Sequence, residues 1–217
     1  DSPFYDIPAG VTPDGSKLFV YALQGNPDND LYLVDLKTLA IDTLTSDDGG
    51  VFNYFYPFLM PDGKTIYLLS NYNEDGITRV AKMTLGDTKL EYVKGWIDPK
   101  WSVDDFGVSR DFKYMYAIVN EDGYRRLRIR EIATGIDAPQ APLDGMYSAP
   151  QFDKNGNVYF TFSGPTYAPD VWKFNLETKK LDKLSKTMYA GIDRSIFSDP
   201  QLVKFKSSAG LEVPAFL

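Results

Sequence analysis

The tetrapeptide Asn-Glu-Asp-Gly occurs twice, at residues 73–76 and 120–123, a separation of 47 positions. Two such loops offer paired carboxylates for acid–base work or oxygen ligands for a hard cation, or else they are one turn of a repeating unit met twice. Glu74 and Glu121 are the candidate binding groups. Residues 26–30 (Asn-Pro-Asp-Asn-Asp) and 153–157 (Asp-Lys-Asn-Gly-Asn) also collect oxygens. Neither extends to a 12-residue calcium loop with a terminal Glu, so both read as solvated turns. The densest basic stretch, residues 124–132, alternates Arg126, Arg128 and Arg130 with Leu127 and Ile129. That pattern fits a strand with one apolar side, whose arginines pair with carboxylates of neighbouring repeats. Arg126 and Arg128 are also candidates to anchor a carbonyl or carboxylate by bidentate hydrogen bonding.

Composition removes other chemistries. With no His and no Cys, no Ser-His-Asp or Cys-His constellation, no thiolate and no imidazole metal ligand can be assembled within these 217 residues. No catalytic residue, metal or cofactor is expected in the segment. A formal charge of -7, from 23 Lys plus Arg against 30 Asp plus Glu, argues against nucleic acid and anionic membrane surfaces as partners. The longest apolar runs, such as residues 18–23, fall far short of the roughly 18 needed to span a bilayer. Lack of Cys leaves the compartment open, periplasmic or cytoplasmic. The opening Asp-Ser-Pro-Phe-Tyr, without an initiator Met or signal peptide, is expected of the interior of a longer chain.

The elements that carry these residues repeat. Residues 12–23 (TPDGSKLFVYAL) recur as 60–71 (MPDGKTIYLLSN), 109–120 (SRDFKYMYAIVN) and 153–164 (DKNGNVYFTFSG). Aligned on Asp14, Asp62, Asp111 and Asn155, the steps are 48, 49 and 44 residues. Each unit reads as four short strands. In the first these are residues 5–11, 17–23, 30–36 and 40–45. In the third, residues 136–143 hold Pro139 and Pro142, which permit only an edge strand. An aromatic share of 15% suits pleated, half-buried surfaces. Four strands per repeat of about 45 residues, without a helical apolar period, predict an all-β fold of β-propeller blades at about 3–46, 52–94, 101–143 and 146–186. Pro-Asp-Gly at 13–15 and 61–63 predicts tight turns between first and second strands. Both Asn-Glu-Asp-Gly stretches become turns between second and third strands, predicted as type I with a bulge-forming Gly of positive φ at Gly76 and Gly123. Trp96, Trp101 and Trp172 read as packing between blades, with stacking on a hydrophobic ligand residue as the alternative.

The blades resemble the WD40-like repeats of TolB-type propellers and of the prolyl oligopeptidase family of serine peptidases. Residues 194–217 (RSIFSDPQLVKFKSSAGLEVPAFL) then break the repeat. Pro200, residues 202–207, Gly210 and residues 213–216 resemble the passage by which acylaminoacyl-peptidase and dipeptidyl-peptidase relatives leave the propeller and begin an α/β-hydrolase domain. The resemblance implies a partial propeller at 1–199 and the first hydrolase strands at 200–217. It implies a peptide substrate for the parent enzyme, a propeller that packs on its own hydrolase domain and gates access to it, and catalytic residues downstream. No G-x-S-x-G elbow is present. Glu74 and Glu121 would then correspond to propeller glutamates with which some dipeptidyl-peptidase relatives hold a substrate amino terminus. The competing reading is a non-enzymatic TolB-type propeller serving as a binding or assembly scaffold.

Overall fold

The structure, a computed structural model, describes residues 4–45 and 49–217. It divides into two compact units, Asp1–Val108 and Ser109–Leu217. Among the described residues there is no α-helix, only a 3-10 turn at Arg194–Ile196.

The first unit holds two antiparallel four-stranded meanders. One runs β1 (Tyr5–Val11), β2 (Lys17–Gly25), β3 (Asp28–Asp35) and β4 (Ile41–Thr43); the other runs β5 (Tyr54–Leu59), β6 (Thr65–Ser70), β7 (Arg79–Thr84) and β8 (Glu91–Tyr92). β9 (Val103–Val108) ends the unit. Alternation does the sorting. Phe19 and Tyr21 on β2 lie opposite Leu33 and Leu31, so these side chains share one face. Phe19, Leu31 and Leu33 pack with Ile66, Leu68 and Met83 of the second sheet into one cluster. Leu69, paired with Val80, falls on the other face of the second sheet, and both are buried. Burying each such side chain contributes roughly 1.5–3 kcal/mol. On β5, Phe58 meets Phe106 of β9 edge to face at 5.8 Å.

In the second unit the hydrogen-bonded order is β10 (Tyr114–Glu121), β11 (Tyr124–Glu131), β12 (Met146–Phe152), β13 (Asn157–Gly164), β14 (Tyr167–Asn175) and β15 (Leu181–Lys183). β11 and β12 are linked by one parallel pair, Arg125 with Met146. No strand follows β11 in residues 136–143; the prolines there leave an isolated bridge between Arg130 and Asp137. A separate hairpin, β16 (Leu202–Lys206) with β17 (Glu212–Phe216), lies beyond the repeats.

The turns explain why the repeat is visible in the sequence. At residues 12–15 the Gly15 N–H donates to the Thr12 carbonyl at 2.8 Å and Gly15 has φ 71°. Residues 60–63 repeat this, with Gly63 at φ 68°. Asp14 and Asp62 each accept backbone N–H groups two residues on, from Ser16 and Lys64. The third repeat places Phe112, at φ 56°, where the others carry Gly. The two Asn-Glu-Asp-Gly stretches are not the same turn. In the second, Glu121 pairs with Tyr124 and both Asp122 (φ 51°) and Gly123 (φ 90°) are left-handed, a two-residue type I′ turn and not the predicted type I. In the first, β6 ends at Ser70 and β7 starts at Arg79, so residues 73–76 sit inside a wider loop with Gly76 at φ 67°. Tyr124 resumes the strand at once after the second tetrapeptide; Ile77 and Thr78 do not after the first.

No atom lies within 4 Å of a Cβ built on Gly63, so its requirement is one of backbone alone. Gly63→Ala is expected to lower stability by about 1 kcal/mol in urea unfolding, and Gly63→Asn by less than half as much, because Asn tolerates the left-handed region.

Candidate functional site

Of the four candidate binding groups, Glu121 and Arg128 bind each other, within one repeat and not across neighbouring ones as expected. Arg128 Nε and Nη2 donate to Glu121 Oε1 at 2.9 and 2.6 Å, Nη2 lies 2.7 Å from Oε2, and Nη1 donates to Gln140 Oε1 at 2.6 Å. Arg126 pairs with Asp144 and covers the Tyr124 ring at 4.7 Å. Glu74 is exposed in the first unit, whereas Glu121 is half-buried in the second. In the first tetrapeptide it is Asp75 that holds an arginine. Arg79 Nη1 and Nη2 donate to its two oxygens at 2.9 and 2.6 Å. These bonds, with the Ile77 N–H, hold the Asp75 carboxyl below its ordinary value.

Arg79 and Arg128 occupy one recurring position. In each repeat the chain leaving the last strand donates a backbone N–H back to the third strand: Leu44 to Leu31, Val93 to Val80, Ala138 to Ile129, and Leu184 to Val171. The residue just before each acceptor is Asp30, Arg79, Arg128 and Asp170, and each ties down the departing chain. Asp30 accepts from the Thr45 hydroxyl at 2.8 Å and from Gln24 Nε2 at 2.7 Å. Arg79 donates to the Pro99 carbonyl through Nε and Nη2 at 3.1 and 2.6 Å. Arg128 holds Gln140. Asp170 accepts from the Ser185 hydroxyl at 2.7 Å and the Thr187 N–H at 2.8 Å, and its Oδ2 faces the Lys183 ammonium at 2.5 Å. Burial pushes the Asp170 carboxyl upward, but Lys183, Ser185 and Thr187 together outweigh it and hold it at about 2. The sequence carried no sign of this position, because it changes charge from repeat to repeat.

The oxygen-rich loops are likewise spent on structure. Asn29 clamps Tyr54, donating to its carbonyl at 2.9 Å and accepting its N–H at 3.0 Å. Asp153 accepts from the Asn155 and Asn157 N–H groups, the Asn157 side chain and the Tyr159 hydroxyl. The Asn157 side chain leads these in lowering its carboxyl to about 2, against a burial that raises it. Among the described residues no group of three or more acidic side chains is arranged to hold a metal. Trp172 packs edge to face on Phe162 at 6.2 Å. Trp96 and Trp101 line a cavity within the first unit and are half-buried there.

The tail hairpin seats on the second Asn-Glu-Asp-Gly turn. Phe216 meets Tyr124 edge to face at 5.0 Å, and Lys204 reaches Asp122 at 3.5 Å. A Cβ on Gly123 would come within 2.8 Å of the Phe216 ring, so glycine is required there for contact as well as for φ. The Thr166 hydroxyl donates to Asp199 at 3.0 Å, and Pro200 and Phe216 wall an apolar cavity of about 240 Å³ with Met146 and Pro165. The hairpin loop closes through the Gly210 N–H to the Ser207 carbonyl, with Gly210 at φ 80°.

No protein-family model matches the chain, and no curated protein sequence matches it. Solved structures do. A prolyl endopeptidase superposes with a TM-score of 0.75 at 19% identity, over 95% of this chain and 30% of its own. A puromycin-hydrolyzing peptidase of Mycobacterium tuberculosis gives 0.76 at 14% identity, over 100% and 34%. Prolyl oligopeptidase B of Galerina marginata gives 0.75 at 18%, over 97% and 31%. At such identities the likeness is one of fold, that of the antiparallel β-propeller sheets of prolyl oligopeptidases. The chain spans about a third of the length of these structures.

Three outcomes follow from the polar clasps. The Glu121 and Arg128 side chains are only 20% and 29% exposed, so a double-mutant cycle with Glu121→Gln and Arg128→Met is expected to show a coupling of about 1–2 kcal/mol, above the range of exposed pairs. Lys183→Met, which leaves Asp170 buried without its counter-ion, is expected to cost about 3 kcal/mol at neutral pH. Because the folded Asp170 carboxyl titrates near 2 and its ordinary value is 3.8, its stabilisation is complete above that value and drains as pH falls toward 2. In acid titrations Asp170→Asn is expected to flatten that stretch of the stability curve.

Proposed function

We propose that this chain is the propeller segment of a peptidase of the prolyl oligopeptidase kind, limiting the access of peptides to a hydrolase domain whose catalytic serine, aspartate and histidine lie outside it. The blades are those at 3–46, 52–94, 101–143 and 146–186, and residues 200–217 open the hydrolase domain. One observation carries this reading: β16 and β17 depart from the repeat and are seated on the type I′ turn at Asp122-Gly123 through Phe216, Tyr124 and Lys204. A propeller blade has no use for such a hairpin, whereas a following domain that must be oriented against the propeller needs a fixed first element. The likeness in fold to prolyl endopeptidase and to puromycin-hydrolyzing peptidase supports the reading. Arg126, Arg128 and Glu121, which looked free to grip a substrate, are engaged in clasps, leaving only the exposed Glu74 of the candidates, so the segment's part is to form a wall, and peptide is the partner of the parent enzyme. The net charge of -7 disfavours a nucleic-acid partner.

The test is labelling of the full-length protein with a serine-directed phosphonate, together with cleavage of short peptides compared with the same sequences held in a folded protein. Labelling, and cleavage confined to the short peptides, are expected. Absence of labelling in a folded full-length protein would show instead a non-enzymatic scaffold of the TolB type.

A further inference from the structure

The segment between β8 and β9 borders a partly open cavity of about 310 Å³ that the clasps do not explain. Its walls come from Val80 on β7, Tyr92 on β8, Val103 on β9, and Val93, Trp96 and Trp101 of the connecting segment. The connection is held open by its own bonds. Val93 N–H donates to the Val80 carbonyl at 2.9 Å, Val103 N–H to Thr78 at 3.0 Å, and Trp101 N–H to Asp98 at 3.0 Å. Gly95, at φ 67°, turns the chain between Val93 and Trp96. Tyr92 is fixed by its hydroxyl, which donates to the Tyr72 carbonyl at 2.7 Å. Three aromatic residues and three valines line the cavity. Apolar cavities of roughly 150 Å³ stay dry and accept benzene, so a space of about twice that size accommodates a larger aromatic group.

The charges around the cavity choose among ligands. Arg79 lines it, but its guanidinium is committed to Asp75 and to the Pro99 carbonyl, which removes the attraction for an anion. Asp98 also lines it, but pairs with Lys100 at 3.2 Å, and the Lys100 ammonium already lies over the Trp101 ring at 4.9 Å. With Arg79 and Asp98 each already paired, neither offers an unopposed charge to an anion or a cation. What remains is dispersion and edge-to-face contact with indole and phenol rings, which favour a neutral arene.

We propose that the cavity bounded by Trp96, Trp101, Tyr92 and Val80 is a binding site for a neutral aromatic group, either an aromatic side chain borne on a peptide or a free aromatic molecule. The site stands on this unit's own geometry and is independent of whether the parent is a peptidase.

The experiment uses the full-length protein labelled with fluorotryptophan, with the Trp96 and Trp101 fluorine resonances assigned by Trp96→Phe and Trp101→Phe. Indole is the probe for a free arene, and N-acetylphenylalaninamide the probe for a peptide-borne ring. Saturable shifts of both resonances with at least one probe are expected, with affinity about tenfold weaker in Ile97→Trp, which fills the cavity from its lining. Shifts with N-acetylphenylalaninamide assign the ligand to peptides, and shifts with indole alone to free arenes. Should Ile97→Trp fail to fold, the wild-type titration decides by itself. Absence of a saturable shift with both probes overturns the proposal, as do shifts with tetramethylammonium in place of the arenes.

Discussion

Each meander ends in a strand too short to hold the chain that leaves it. β4 and β15 have three residues, β8 has two, and β11 is followed by a single bridge. A few ladder hydrogen bonds, each worth about 1 kcal/mol net, do not offset the ordering of a departing segment at roughly 1–2 kcal/mol per residue. The deficit falls to one position, the third-strand residue just before the last backbone acceptor. Asp30, Arg79, Arg128 and Asp170 stand there, and all four spend their side chains on the chain as it departs. Charge-assisted hydrogen bonds are about twice as strong as neutral ones, which is why a charged group recurs at a partly buried place.

Identity at this position is free because only the outcome is constrained. An acid there takes donors from the departing segment, the Thr45 hydroxyl for Asp30 and the Thr187 N–H for Asp170. A base takes its acceptors, the Pro99 carbonyl for Arg79 and Gln140 for Arg128. Each base then needs a counter-ion, and the turn between second and third strands supplies it, as Asp75 in one case and Glu121 in the other. The acidity of those turns is thus tied to the base on the strand that follows. Each clasp also neutralises its base with an acid from the same repeat.

This coupling decides what was legible in the sequence. The repeat was readable because Gly15, Gly63 and Gly156 meet a backbone requirement that few residues satisfy, and because alternation such as that of Leu31 and Leu33 can serve only one sheet face. Phe112 hid the same turn in the third repeat, since its left-handed φ is held by surrounding bonds, Ser109 to Tyr114 and Phe112 to Ser109, and not by residue type. The bulges at Tyr56-Pro57 and Ala149-Pro150 were hidden for a similar reason. A residue before proline ordinarily favours extended backbone, yet both precede one at φ near 50°, and at the first bulge the freed Tyr56 N–H is met by the Tyr21 hydroxyl at 2.7 Å. The recurring position was illegible because its residue changes sign between repeats; pairing of the arginines with carboxylates was expected, but Arg128 and Glu121, seven residues apart, also resembled ligand groups when read one at a time.

The identical tetrapeptides show how much a neighbour governs. After residues 120–123 the strand resumes at Tyr124, which forces a two-residue turn and brings both Asp122 and Gly123 into the left-handed region. Such a turn is flat and narrow at its tip, and at Gly123 it presents bare backbone. Phe216 fits against that backbone only because no Cβ intervenes, and Tyr124, fixed by the same turn, supplies the ring it meets edge to face. Asp122 is left at the tip to receive Lys204. Residues 73–76, in a wider loop, bring Asp75 to Arg79 instead. One sequence therefore yields a strand clasp in one repeat and, in another, a clasp together with a docking point for the tail hairpin. The difference arises from where the next strand begins, not from the acidic residues themselves.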